Sequence, residues 1–169
     1  MATVLFAAAS LSAPPPFVKH EVVVPGWPKL PYPFSTAILS CLTGSSTNYC
    51  TLHISGMQGY NYSATPPGRV AGGILNETTM ALYDIAQVAK AAGSSMDAIT
   101  ECEVWLSDIN DFDQMNEAYS KYFTGPGKVA PTRIAAQAAM LGGGAKVEIK
   151  CNGVAPPPAT TAQPAVESH

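Results

Sequence analysis

A chain of 169 residues suits one domain of ordinary size. Only 12% of its residues are charged, nine Lys or Arg against twelve Asp or Glu, about half the roughly 25% of a typical soluble domain. A net charge of −3 with two arginines, Arg69 and Arg133, argues against nucleic acid, whose phosphates need clustered basic side chains; no run of about 18 apolar residues suggests a membrane span.

Residues 1–30 read as an N-terminal extension. Its first part is small and apolar and weakly resembles a secretory leader, but no Lys or Arg precedes Lys19. Location therefore stays open, with the cytoplasm as default. From Lys29 to Arg69 no charged side chain intervenes, and so neutral a surface predicts burial in an oligomer. Residues 34–42 and 49–55 are β-prone runs around a Gly/Ser/Asn turn, a hairpin pattern. Cys41 and Cys50 flank that turn. A hairpin centred near Ser45 and Ser46 would bring them face to face, although two free thiols on a half-buried hairpin are the favoured reading. His20, His53 and His169 are scattered, and no cysteine spacing suggests a metal site. Asn61-Tyr62-Ser63 and Asn76-Glu77-Thr78 are glycosylation sequons that matter only in a secreted chain. Residues 56–73, rich in Gly and Pro, should form an irregular loop.

Residues 75–92 place Leu75, Thr79, Leu82, Ile85, Ala86, Ala89 and Ala92 at helical spacing, with Gly93 as the stop. Residues 99–106 alternate as a strand with one buried face. A second helix follows with Asn110 or Asp111 as cap. Its stripe is Phe112, Met115, Ala118, Tyr119, Tyr122 and Phe123. Residues 146–153 alternate clearly, and the short Gly142–Gly144 connection predicts that 132–141 is their hairpin partner. The order β-β-α-β-α-β-β predicts an α+β domain over 31–155, one mostly antiparallel sheet with both helices on one face. The bare face would be covered by further copies of the chain. Residues 156–169, with four prolines and almost no large apolar side chains, read as a disordered tail.

Two polar residues stand out. Arg133 opens an otherwise uncharged strand, where a guanidinium can take a carboxylate in bidentate fashion; the competing reading is a surface arginine. Glu148 lies mid-strand, suited to a general base or water activator, or else a solvated residue paired with Lys146 or Lys150. In the hairpin register Glu148 would face Ala138, about five residues or roughly 16 Å from Arg133. A shared site would then need Arg133 and Glu148 from different chains.

Several segments together resemble the Rid (YjgF-like) family of reactive-intermediate deaminases. They are Leu82 to Gly93, Ile99 to Phe123, Pro131-Thr132-Arg133 and Lys146 to Ile149, with Ile54-Ser55-Gly56 and Pro33-Phe34-Ser35 upstream. The resemblance implies a chorismate-mutase-like fold, a homotrimer with clefts between subunits, and no cofactor. It implies that Arg133 binds a substrate carboxylate and that Glu148 positions or activates the water that hydrolyses an imine to a keto acid and ammonia. Asn116 and the Ser55-Gly56 backbone would line the cleft. Phe34, Met57 and Ala135 stand where the family usually has Tyr, Gln and Cys, making the substrate pocket more apolar. The implied partners are a small carboxylate-bearing substrate and further copies of the chain, without nucleic acid or membrane. Two alternatives remain: a diverged enzyme acting on a larger, more apolar biosynthetic intermediate, and a non-catalytic trimer that binds a small ligand.

Overall fold

The computed structural model describes residues 17–29, 31–42 and 48–158. The expected turn at Ser45 and Ser46, the leader-like segment and the end of the tail lie outside them. Strand β1 (Phe17–Glu21) pairs antiparallel with β2 (Ala37–Leu42), which pairs with β3 (Cys50–Ile54). Two pieces of chain expected to be irregular thus contribute strands. Phe17–Glu21, within the expected extension, forms the edge of the sheet. The glycine-rich loop holds β4 (Met57–Gln58) and a two-stranded ribbon of β5 (Tyr60–Asn61) and β6 (Gly68–Arg69).

Helix α1 (Gly73–Ala91) ends as expected, with Gly93 at φ 72° and its N–H donating to the Lys90 carbonyl. Its inward side runs through Ile74, Ala81, Leu82, Ile85, Val88 and Ala89. Leu75 and Thr79 lie off the buried face, and the carboxylates Glu77 and Asp84 lie on it. Strand β7 (Ile99–Leu106) leads through a single 3-10 turn to α2 (Phe112–Phe123). Asp111 stands at the N-cap position of α2, as expected, but its side chain makes no capping hydrogen bond; Asp108 caps the 3-10 turn before it, accepting the Asn110 N–H at 2.9 Å. Met115, Ala118, Tyr119 and Phe123 are buried, as the stripe predicts.

Strands β8 (Thr132–Gln137) and β9 (Val147–Ala155) are not a hairpin. β8 runs parallel to β7, with α2 as the crossover that a parallel pair needs. β9 sits between β3 and β7, antiparallel to both, and β4 also pairs with it. The reason lies in burial. Every second side chain of β9 is buried, as a central strand requires, whereas β8 has no buried residue and occupies the edge. Glu148 therefore faces Trp105 and Gln58, not Ala138.

Both helices contribute to one core with Leu39, Leu52, Val104, Leu106, Val147 and Ile149. The other sheet face carries Trp105, Ile134, Glu148, Lys150 and Asn152, none of them buried. The architecture is the expected α+β arrangement with a mostly antiparallel sheet.

All four cysteines are paired. Cys41–Cys50 ties β2 to β3, in place of the free thiols favoured from sequence, and Cys102–Cys151 ties β7 to β9 inside the core. Cys102 and Cys151 are 49 positions apart in sequence, with nothing to link them until the β7–β9 register is known. Loop-closure entropy gives about 4 kcal/mol for the 49-residue link and about 3 kcal/mol for the nine-residue one. Cys102→Ala/Cys151→Ala should lower unfolding stability by more than Cys41→Ala/Cys50→Ala. Urea titrations of the two double variants compare them directly.

Asp84 is buried and its Oδ2 has no hydrogen-bond partner. Burial lifts its carboxyl from the ordinary 3.8 to about 8. The folded carboxyl keeps its proton where the unfolded one has lost it, so stability falls as pH rises from about 4 to about 8 and levels off above that. The slope is on the order of 1 kcal/mol per pH unit. Asp84→Asn should flatten it, as read by urea unfolding between pH 5 and pH 9.

Candidate functional site

The strand alternation that buries Val147 and Ile149 turns Glu148 to the bare face of the sheet. There the Gln58 side chain, opposite it on β4, donates from Nε2 to Glu148 Oε2 at 2.8 Å. Gln58 Oε1 in turn accepts from Arg69 Nη2 at 3.3 Å. Arg69 reaches Glu77 Oε2 with Nη1 at 3.3 Å and the Gly143 carbonyl with Nη2 at 3.1 Å. Glu77 Oε2 also accepts the Lys146 backbone N–H at 2.8 Å, immediately before β9 begins. Side-chain exposure is 24% for Arg69 and 6% for Glu77, so this ion pair is shielded from water and acts as a fixed strut. Glu148 is thus half-buried and held by Gln58, with no lysine paired to it. Lys146 reaches Asp111 at 3.4 Å and Lys150 reaches Glu103 at 2.9 Å.

Gly56 is required by this arrangement: a Cβ there would fall onto Glu148 Oε1. Ser55 Oγ donates to the Ser35 carbonyl at 2.8 Å, joining the end of β3 to the segment that carries Phe34. Phe34, Ser55, Gly56, Met57 and Glu148 all border one cleft of ≈ 640 Å³. Met57 is nevertheless a core residue, 2% exposed. The amide expected at its position from the family pattern comes instead from Gln58, the next residue.

Arg133, Asn116 and Ala135 lie elsewhere. Arg133 pairs with Cys102 and Ala135 with Val104, so both point to the helix side of the sheet. Arg133 Nη1 donates to Asn116 Oδ1 at 2.7 Å, and its guanidinium sits 4.6 Å from the Tyr119 ring centroid and 5.6 Å from that of Phe112. Among the described residues its other N–H groups have no protein acceptor. Burial raises the Tyr119 phenol to about 12, while the Arg133 charge beside it pulls the other way. The arginine is therefore pinned at one corner, with its remaining donors facing outward.

Along the strands, Arg133 lies at the level of Cys102, three positions from Trp105, which faces Glu148. At about 3.3 Å per residue and about 4.8 Å per strand, the two positions are about 14 Å apart, and their side chains leave opposite faces. Within one chain they do not share a site. The sequence reading missed Gln58, Arg69, Tyr60 and Tyr62, all at the cleft. Arg69 could have been singled out as one of only two arginines. Among the described residues no cluster of His, Cys, Asp or Glu could hold a metal ion, and no helix is long and apolar enough to cross a membrane.

Residues 45–155 match the family described as endoribonuclease L-PSP. The chain is 37% identical over 107 residues to a mouse 2-iminobutanoate/2-iminopropanoate deaminase, covering 63% of this chain and 76% of that protein. It is likewise 37% identical over 100 residues to the human protein of the same name, covering 59% and 69%. Among solved structures, the Rid-family protein YyfA of Yersinia pestis superposes with a TM-score of 0.68 at 27% identity, covering 80% of this chain and 98% of that one. RidA from the Antarctic bacterium Psychrobacter superposes with a TM-score of 0.64 at 25% identity, covering 79% and 98%. This chain therefore belongs to the endoribonuclease L-PSP family, the Rid (YjgF-like) proteins.

Proposed function

We propose that this chain hydrolyses 2-imino acids to 2-keto acids and ammonia in a cleft completed by a second copy of itself. The observation that carries the reading is the separation of Arg133 and Glu148 onto opposite faces of one sheet. A site that uses both must lie between chains. A ring of three copies buries the bare faces, with their exposed Trp105 and Ile134, and sets each cleft at a junction. The mouse and human relatives, named as imine deaminases, support the reaction class.

In this arrangement the free edge of Arg133 holds the substrate carboxylate. Water adds to the imine carbon and gives its proton to Glu148. The imine enters protonated, so this leaves a neutral carbinolamine. The carboxyl returns its proton to the nitrogen, and as the carbon–nitrogen bond breaks the carbinolamine hydroxyl passes its proton through Glu148 to the departing ammonia, releasing the keto acid and ammonium. Gln58 fixes one carboxylate oxygen of Glu148, leaving Oε1 beside Gly56 for the water. A second copy's Asn116 would keep its arginine in place. RNA cleavage, the activity in the family's description, is less well served. The cleft's own guanidinium is engaged by Glu77, Gln58 and two carbonyls, leaving no basic cluster for phosphates.

The test generates 2-iminopropanoate in situ with a dehydratase and follows ammonia release. Glu148→Gln should lower kcat by roughly 10²–10⁴-fold, and Arg133→Ala should raise KM most. A Glu148→Gln protein as active as the parent sinks the reading, and a monomeric mass by light scattering sinks the shared cleft.

Gly56→Ala gives a separate prediction. The added methyl displaces the Glu148 carboxylate, so kcat should fall about as far as in Glu148→Gln while the fold, followed by circular dichroism, persists.

A further inference from the structure

Resting on the hydrolase reading, we infer that the substrates of this cleft are 2-imino acids with a neutral, planar aromatic side chain. In a single chain, before a second copy completes it, the cleft of ≈ 640 Å³ lies in the size range of sites for drug-sized ligands, with room for more than the single methyl of 2-iminopropanoate. Its walls are aromatic. Tyr32 and Phe34 stack with parallel rings, centroids 5.7 Å apart, and stay 61% and 53% exposed. Tyr60 and Tyr62 also border the cleft with centroids 5.1 Å apart, and Trp27 stacks on Tyr62 at 4.4 Å. A flat apolar ring meets matching faces here.

Charge narrows the class further. The ionised side chains bordering the cleft are Glu148 and Arg69, and Arg69 is already bound to Glu77 and Gln58. An acidic substrate side chain would meet no free cation and would be repelled by Glu148. A basic one would pair with Glu148 and block its access to water. A neutral ring avoids both. It also places the apolar side chain on Phe34 and Tyr62 while the imine carbon stays at Glu148.

An L-amino-acid oxidase with catalase supplies the imines of alanine, leucine, phenylalanine and tryptophan. Semicarbazide traps whatever this protein has not hydrolysed. The phenylalanine and tryptophan imines should be consumed with kcat/KM at least tenfold above the alanine imine, with leucine between. Phe34→Leu and Tyr62→Leu, which keep apolar bulk but remove the plane, should each lower the phenylalanine-to-alanine ratio severalfold. Calorimetric binding of phenylpyruvate and pyruvate gives a second readout that needs no turnover. Equal or faster consumption of the alanine imine overturns the aromatic preference and leaves the hydrolase reading standing. Tight phenylpyruvate binding without hydrolysis of any imine upholds the aromatic cleft and overturns the hydrolase reading. Neither binding nor turnover overturns both.

Discussion

A strand hydrogen-bonded on both sides must send alternate side chains to opposite faces of its sheet, and β9 is such a strand. Val147, Ile149 and Cys151 go to the helices, so Glu148 and Lys150 go to the uncovered side. No adjustment of side-chain rotamers can carry Glu148 across. The placement of the carboxylate thus follows from the same apolar contacts that hold the core. Everything around it is arranged to fix its remaining freedom. Gln58 holds one oxygen, Arg69 holds Gln58, and Glu77 holds both Arg69 and the backbone at the start of β9. This chain of contacts runs from helix to loop to strand and back to Lys146, two residues before Glu148. An orientation closed in that way is preorganised, with little reorganisation left for the reacting complex.

The same constraint separates the two arginines. Arg69 is turned inward by a buried carboxylate and serves as part of the frame. Arg133 is held by an amide oxygen and two aromatic rings, none of which neutralises its charge. One guanidinium is therefore electrostatically satisfied and the other is available. Composition alone shows two equivalent residues, and only their partners distinguish them.

Much of the fold was legible because periodicity reports burial directly. The helices, the strand over 99–106 and the alternation around Glu148 all have a strong apolar pattern. The β8 pairing was not legible. Residues 132–137 have no buried face to set their register, and a short glycine connection carries the same signal whether or not the strands beside it pair. The inward Glu77 and Asp84 also escaped notice, since an amphipathic pattern assigns charged side chains to water. The site divided along similar lines. Arg133 and Glu148 stood out as isolated charges on strands, and the family resemblance gave them roles. Gln58 and the tyrosines lie in a loop whose path depends on contacts distant in sequence. Ser55 and Gly56 were expected at the cleft and border it, but the reason for Gly56 is steric and required the position of the Glu148 oxygen.

The cross-links between β2 and β3 and between β7 and β9 leave no cysteine unpaired. Ala135 puts a methyl group on the strand face beside Arg133, where the family pattern leads one to expect a thiol. The sulfur chemistry that starts from a free thiolate, sulfenic acid formation above all, has no cysteine to act on in this oxidised chain. Oxidase-generated imines arrive with hydrogen peroxide, and a pocket built from rings, an amide and a carboxylate offers that peroxide no thiolate. Thiol reductants act on the two cross-links themselves, and opening them loosens the strands that they join, although Cys102 and Cys151 stay buried in the core. The redox composition of the solution is thus a structural variable for this protein, acting on the sheet that carries Glu148.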